Sequence, residues 1–83
     1  MRVFLEALRF GSISEAAHRC HLSQPAATQA LARLEEEVGA TLVNRDRRNF
    51  GATECGVLFQ RRVITALAHL RTGARYLRSA SAK

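Results

Sequence analysis

Apolar residues fall at Val3, Phe4, Ala7 and Leu8, the three-and-four spacing of a helix with one apolar face. The spacing predicts a first helix over residues 1–10, stopped by Gly11. Ser12-Ile13-Ser14-Glu15 then has the form of a capping box, in which the Ser12 hydroxyl caps a new helix and Glu15 reaches back. That second helix runs through Ala16 and Ala17 to about Cys20. Leu22-Ser23-Gln24-Pro25 is another start: Ser23 can cap, and Pro25 stands where a missing N–H costs little. Helical periodicity continues through Ala27, Leu31, Leu34 and Val38 until Gly39. Only the short stretch His21-Leu22-Ser23 separates these two helices, so they must form a helix-turn-helix or an αα-hairpin.

The pattern changes after Gly39. Thr41, Leu42 and Val43 favour a short strand, residues 44–49 are polar and turn-forming, Phe50 can begin a return strand, and Gly51 allows a tight bend. A small hairpin with a basic tip is expected there. Thr53 then caps a long helix over residues 54–78, with Glu54 at its positive end. Phe59, Val63, Ala66 or Leu67, Leu70, Ala74 and Leu77 form a seam suited to a partner helix, flanked by Arg61, Arg62, Arg71, Arg75 and Arg78. Residues 79–83 have no pattern and are expected to fray. The order is helix, helix, helix, hairpin, long helix, with no repeats.

Eighty-three residues allow one domain, and hydrophobic residues at 47% make it globular. No apolar run approaches the roughly 18 residues needed to span a membrane. Glu6 and Arg9 interrupt the first apolar stretch, which argues against a signal peptide. Two cysteines, Cys20 and Cys55, fit a reduced, cytoplasmic setting. Charge narrows the choice further: 13 Lys and Arg against 7 Asp and Glu give a net +6, and every cation but Lys83 is arginine. Such a balance suits a solvated basic surface, a membrane-surface helix or nucleic acid.

A helix entering a major groove of about 12 Å needs small or polar residues at its N-terminal end. Gln24, Pro25, Ala26, Ala27, Thr28 and Gln29 meet that demand. Gln29 can pair with adenine, Thr28 offers a hydroxyl and a methyl, and Ser23 with the first backbone amides can hold a phosphate. An ordinary capped helix with a polar face has the same appearance. The cluster Arg45, Arg47 and Arg48, in a hairpin just beyond that helix, favours the nucleic-acid reading over a merely solvated loop.

Several linked blocks resemble the LysR-type regulator signature: Gly11 to Ala17, Leu22 to Ala26, Leu34 to Gly39, Leu42 to Arg45, and Thr53 to Gly56. Their order and spacing both match, over nearly the whole chain. The resemblance implies a mainly α fold, a winged helix-turn-helix of a three-helix core and small β-hairpin wing, followed by a dimerising linker helix. It divides the chain into a DNA-binding domain over 1–53 and a linker helix over 54–83. It implies DNA-facing positions at Ser23, Gln24, Pro25, Thr28 and Gln29, a wing over residues 44–52, and core positions at Ala16, Ala17, Leu31 and Leu34. With Arg33, Arg45, Arg47 and Arg48, those residues make up the candidate DNA-contacting set. Phe59, Val63, Leu67, Leu70 and Leu77 make up the candidate dimerisation set. The expected function is sequence-specific binding of double-stranded DNA, at an interrupted palindrome, by a homodimer formed through the 54–78 helix.

Departures from the family pattern carry expectations of their own. Val43 stands where phenylalanine is usual and Ala52 where leucine is, so the wing is either looser or compensated by Phe50. Cys20 and Cys55 replace a common leucine and alanine and are expected as small core residues. Gln29 replaces a frequent arginine, so its contact differs. The effector-binding domain of full-length members is absent from these 83 residues, so any small-molecule effector would act through it.

Other sites are weaker. His18, Cys20 and His21 cluster, but zinc requires paired spacing and about four ligands, so neither metal nor cofactor is expected. Cys20 beside His21 does not make a nucleophile with its base, because that geometry is spatial. Glu35, Glu36 and Glu37 point to different helix faces, which disfavours acid–base chemistry; Glu35 is expected to be structural, near the motif turn. No enzyme is expected. A protein-interaction module working through the last helix is the alternative from another class. An RNA binder is a third, disfavoured by the few aromatics available for stacking.

Overall fold

The computed structural model describes residues 1–46 and 48–81, with Ser81 described as backbone only. Its elements are α1 (Arg2–Phe10), α2 (Ile13–Arg19), α3 (Gln24–Val38), β1 (Val43–Asn44), β2 (Gly51–Ala52) and α4 (Glu54–Ser81). The fold is mainly α, as the pattern predicts: three helices, a two-stranded wing and a long last helix.

Each helix boundary has a local cause. Gly11 and Gly39 close α1 and α3 in the left-handed conformation, at φ 64° and 74°. Ser12 caps α2, its Oγ accepting from the Glu15 amide at 3.2 Å. The reciprocal half of the capping box does not form. The Ser12 amide already donates to the Ala7 carbonyl at 3.2 Å, and the Glu15 carboxylate accepts from Arg19 Nε at 3.3 Å. Ser23 caps α3 through the Ala26 amide at 3.2 Å, with Pro25 in the first turn. The turn between α2 and α3 passes through His21 at φ 57°, the one non-glycine residue at positive φ among the described residues. The Leu22 amide closes it by donating to the Ala17 carbonyl at 2.9 Å.

The core joins Val3, Phe4 and Ala7 of α1 to Ala16 and Ala17 of α2 and to Ala27, Leu31 and Leu34 of α3, with Leu42 and Val43 beneath the wing. Four of these are alanines, so the helix backbones approach closely where they cross. Arg19 stacks its guanidinium on the Phe10 ring at 4.5 Å, Arg9 does so at 5.2 Å, and Arg2 donates to the Arg19 carbonyl at 3.0 Å. Arg2 and Arg19 thereby latch α1 to α2, while the Arg9 contact stays within α1.

In the wing, Val43 faces Ala52 and Asn44 faces Gly51 across an antiparallel pair. The strand expected from Thr41 starts two residues later: the Leu42 carbonyl still accepts from the Thr53 amide opposite at 3.1 Å, but the Leu42 amide donates to Glu35 Oε2 at 2.6 Å and not across the hairpin. Val43 is buried and Phe50 packs half-buried against the core, so Phe50 supplies apolar volume at the wing.

Thr53 ties the long helix to the body. Its hydroxyl donates to the Thr41 carbonyl at 2.6 Å and accepts from the Gly56 amide at 3.0 Å. Gly56 lies so close to the Leu42 carbonyl that a Cβ there would overlap that oxygen. Beyond it, Phe59 meets Phe4, ring centroids 5.6 Å apart, and Val63 is buried. These two seam residues therefore pack within their own chain. Cys55, expected in the core, is exposed, since the adjacent Gly56 takes the inward position. Cys20 is half-buried against the core. The helix also runs on through 79–81, where a free end was expected. Ser79, Ala80 and Ser81 include neither glycine nor proline to stop it. Ala82 and Lys83 lie outside the described residues.

Candidate nucleic-acid interface

The face of α3 opposite Ala27, Leu31 and Leu34 carries the sequence-predicted reading residues. Ser23, Gln24, Pro25, Thr28, Gln29 and Arg33 are all exposed. They are displayed because the alanine- and leucine-lined face behind them is buried, which fixes the helix about its axis. Ser23 Oγ is occupied as an acceptor by its capping bond, leaving the hydroxyl proton to donate to an anion. Pro25 offers no N–H, and the helix dipole adds positive character at this end. One turn beyond Arg33 comes Glu36, also exposed, where the face turns acidic. The part suited to a polyanion is thus the N-terminal two-thirds of α3.

The wing stands beside this face. Gln24 and Arg45 line one cleft together with Gly11 to Ser14 and Phe50, so the start of α2, the start of α3 and the wing converge. The hairpin tip is ordered by short-range bonds: the Asp46 amide donates to Asn44 Oδ1 and the Arg48 amide to Asp46 Oδ1, each at 3.0 Å. Arg48 is exposed. Arg47, the third wing arginine expected from the sequence, lies outside the described residues.

Arg45 has a different setting. Its Nη2 donates to Glu35 Oε1 at 2.7 Å, and Glu35 Oε2 also accepts from the Leu42 amide at 2.6 Å and the Val43 amide at 3.3 Å. Burial opposes ionisation of Glu35, but the Leu42 amide, the Arg45 guanidinium and the Val43 amide outweigh it and hold its pKa below the ordinary value. A carboxyl with a lowered folded pKa binds fewer protons in the folded state than in the unfolded one. Its contribution to stability is therefore complete above the ordinary carboxylate range and fades as pH falls through the lowered pKa. Glu35 is structural, as expected, but it braces the wing rather than the helix-turn-helix turn. The sequence signal was a carboxylate eight residues before a strand start and ten before an arginine, too long-range to read as a pair.

The arginines thus divide by role. Arg2, Arg9, Arg19 and Arg45 are engaged with their own chain. Arg33 and Arg48 are exposed on the polar face of α3 and on the wing, and Arg61, Arg62, Arg71 and Arg75 are exposed along α4. Ser14 was not singled out from the sequence, yet it lines the same cleft as Gln24. His18 and His21 are exposed while Cys20 is half-buried. Among the described residues, no three His, Cys, Asp or Glu side chains converge to hold a metal. No described helix is long and apolar enough to cross a membrane.

On α4, Leu67, Leu70 and Leu77 of the expected seam are exposed. An apolar groove lies near the start of this helix, where Leu58, Phe59 and Cys55 meet Val38 and Leu42.

Known proteins share this arrangement. The family model described as "Bacterial regulatory helix-turn-helix protein, lysR family" matches residues 1–57. The HTH-type transcriptional activator AaeR of Escherichia coli (strain K12) is 36% identical over 59 residues, which is 71% of this chain and 19% of that protein. The chain thus spans less than a fifth of that relative's length. Vibrio fischeri DarR, in a crystal structure with DNA, matches with a TM-score of 0.86 at 29% identity, covering 96% of this chain and 27% of that one. The crystal structure of the CbnR_DBD–DNA complex matches with a TM-score of 0.74 at 33% identity, covering 95% and 92%.

Proposed function

The chain belongs to the lysR family of bacterial regulatory helix-turn-helix proteins, and from that membership we propose that it is the DNA-reading part of a transcription regulator, binding double-stranded DNA sequence-specifically. The observation that carries this reading is the exposed polar N-terminal face of α3, set on a fully apolar inner face with the wing alongside. The matched DarR and CbnR_DBD structures are complexes with DNA, which supports it.

In this reading Ser23 and the first turn of α3 position the helix on a phosphate, while Gln24, Thr28 and Gln29 meet base edges and Arg33 the flanking backbone. The wing follows the adjacent backbone or minor groove. The unit is a homodimer joined through α4, with Leu67, Leu70 and Leu77 as the available seam and Phe59 and Val63 supporting it from the body. Residues 1–53 read DNA and residues 54–83 link and dimerise. The domain works in the cytoplasm and has no enzymatic role. A small-molecule effector would bind a part of the regulator other than these residues.

Selection from a randomised duplex pool at near-physiological salt tests this. The expected product is an interrupted palindrome, with half-sites separated by about 10–10.5 bp or a multiple. Binding without enrichment would reduce the protein to a basic domain that holds phosphates. Gln29→Ala should relax preference at one base position by about 1–3 kcal/mol. An unchanged base preference would remove Gln29 from the readers.

A further inference from the structure

One carboxylate joins the reading helix to the wing. Glu35 stands in the C-terminal half of α3, with its side chain 12% exposed, and takes three donors from the first residues of the wing: the Leu42 amide, the Val43 amide and the Arg45 guanidinium. Because α3 is rigid and held by Leu31 and Leu34, these bonds determine where β1 leaves the body. The Arg45 side chain is 39% exposed, but its charge is balanced by a carboxylate at 2.7 Å. A DNA phosphate that took the Nη2 donor would displace that carboxylate and leave Glu35 charged, mostly buried and short of its cationic partner. Arg48 differs: it is exposed at the tip, its backbone is ordered by Asp46, and among the described residues it has no carboxylate partner.

We propose that Glu35 is a positioning residue that keeps Arg45 as a structural strut of the wing, so that Arg48 and not Arg45 meets the phosphate backbone. The assignment rests on the DNA-binding reading above. It replaces a wing of interchangeable arginines by one in which neighbouring arginines have separate tasks.

The test is the salt dependence of affinity for the selected duplex, with circular dichroism melting to establish that each variant is folded. Arg48→Ala should flatten the slope of log K against log[salt] by about 0.9, the loss of one phosphate contact. Arg45→Gln should lower affinity by the same factor at every salt concentration and leave the slope unchanged. Glu35→Gln should free Arg45, steepen the slope by about 0.9 and reduce the preference for the selected over a scrambled duplex. A slope flattened by about 0.9 in Arg45→Gln overturns the proposal. Nuclear magnetic resonance of the wild-type protein serves if these variants do not fold. On adding duplex, the guanidinium resonances of Arg48 should move while those of Arg45 keep their positions, and the reverse overturns the proposal. If the wild-type protein shows no salt-dependent binding to any duplex, the DNA-binding reading itself fails and takes this proposal with it.

Discussion

The first ten residues of α4 and its last half carry the same apolar periodicity, yet their surroundings differ. Phe59 lies against Phe4 and Val63 is 7% exposed, whereas Leu70 and Leu77 are each 68% exposed. A helix of 28 residues is about 42 Å long by the usual rise, and the molecule measures only 27 and 21 Å across its shorter axes. The body can therefore cover only the beginning of α4, and the rest extends past it. Periodicity says which face of a helix is apolar; it does not say whether that face meets the same chain, another copy or water. The two glycines of α4 mark the same division. Gly56 is required by the close approach of the Leu42 carbonyl, while Gly73 has open space around it.

That contrast can be broken most severely at Gly56. Gly56→Ala places a methyl on a backbone oxygen that cannot move without shifting β1. It should destabilise the body by roughly 3 kcal/mol or more in urea unfolding. The same change at Gly73 should instead add up to about 1 kcal/mol of helix stability. A neutral Gly56→Ala would mean that α4 does not approach β1 so closely in solution.

A smaller effect, and of a different kind, is expected from Leu70→Ser. Monomer stability should stay within roughly 0.5 kcal/mol, because little burial is lost. Dimer dissociation, followed by analytical ultracentrifugation, should weaken at least about tenfold, since one leucine leaves each side of the interface. A large drop in monomer stability would show that the far half folds back on its own body. Unaltered dimerisation would exclude Leu70 from the interface.

The smallest change sharpens the picture of the body itself. His21 holds a left-handed conformation that costs an ordinary residue about 1–2 kcal/mol. His21→Gly relieves that cost but adds unfolded-state freedom, for a net gain of about 0.5–1 kcal/mol. The melting temperature should rise by roughly 2–8 °C. A lower melting temperature would mean that the imidazole makes a contact worth more than the strain.

Much of the body was legible because its signals are local. Ser12, Ser23 and Thr53 announced three helix starts, Gly11 and Gly39 two helix ends, and the spacing of Ala27, Leu31 and Leu34 told which face of α3 turns inward. That last point also made the proposed reading residues visible, since Gln24, Thr28 and Gln29 must then face out. The turn at His21-Leu22-Ser23 was legible, but the left-handed conformation of His21 was hidden, because histidine's tendency to positive φ is weak beside that of glycine. Glu15 misled for a related reason: the sequence offered a bond to Ser12, but its amide was already taken by Ala7 of the preceding helix.

The amino-acid order by itself determined the element order, the buried face of α3, its polar outer surface and the kinship that follows from them. All of these rest on interactions within a few residues, whose geometry repeats along any helix. Only the tertiary structure decided the roles of single side chains that act across ten or more residues. Arg45 became a strut because Glu35 lies beneath it, and Cys55 faces out because Gly56 must face in. Phe59 and Val63 were drawn into the body while Leu70 was left outside it. Such outcomes depend on which surfaces the folded chain brings within contact distance, and one-dimensional spacing does not encode that distance.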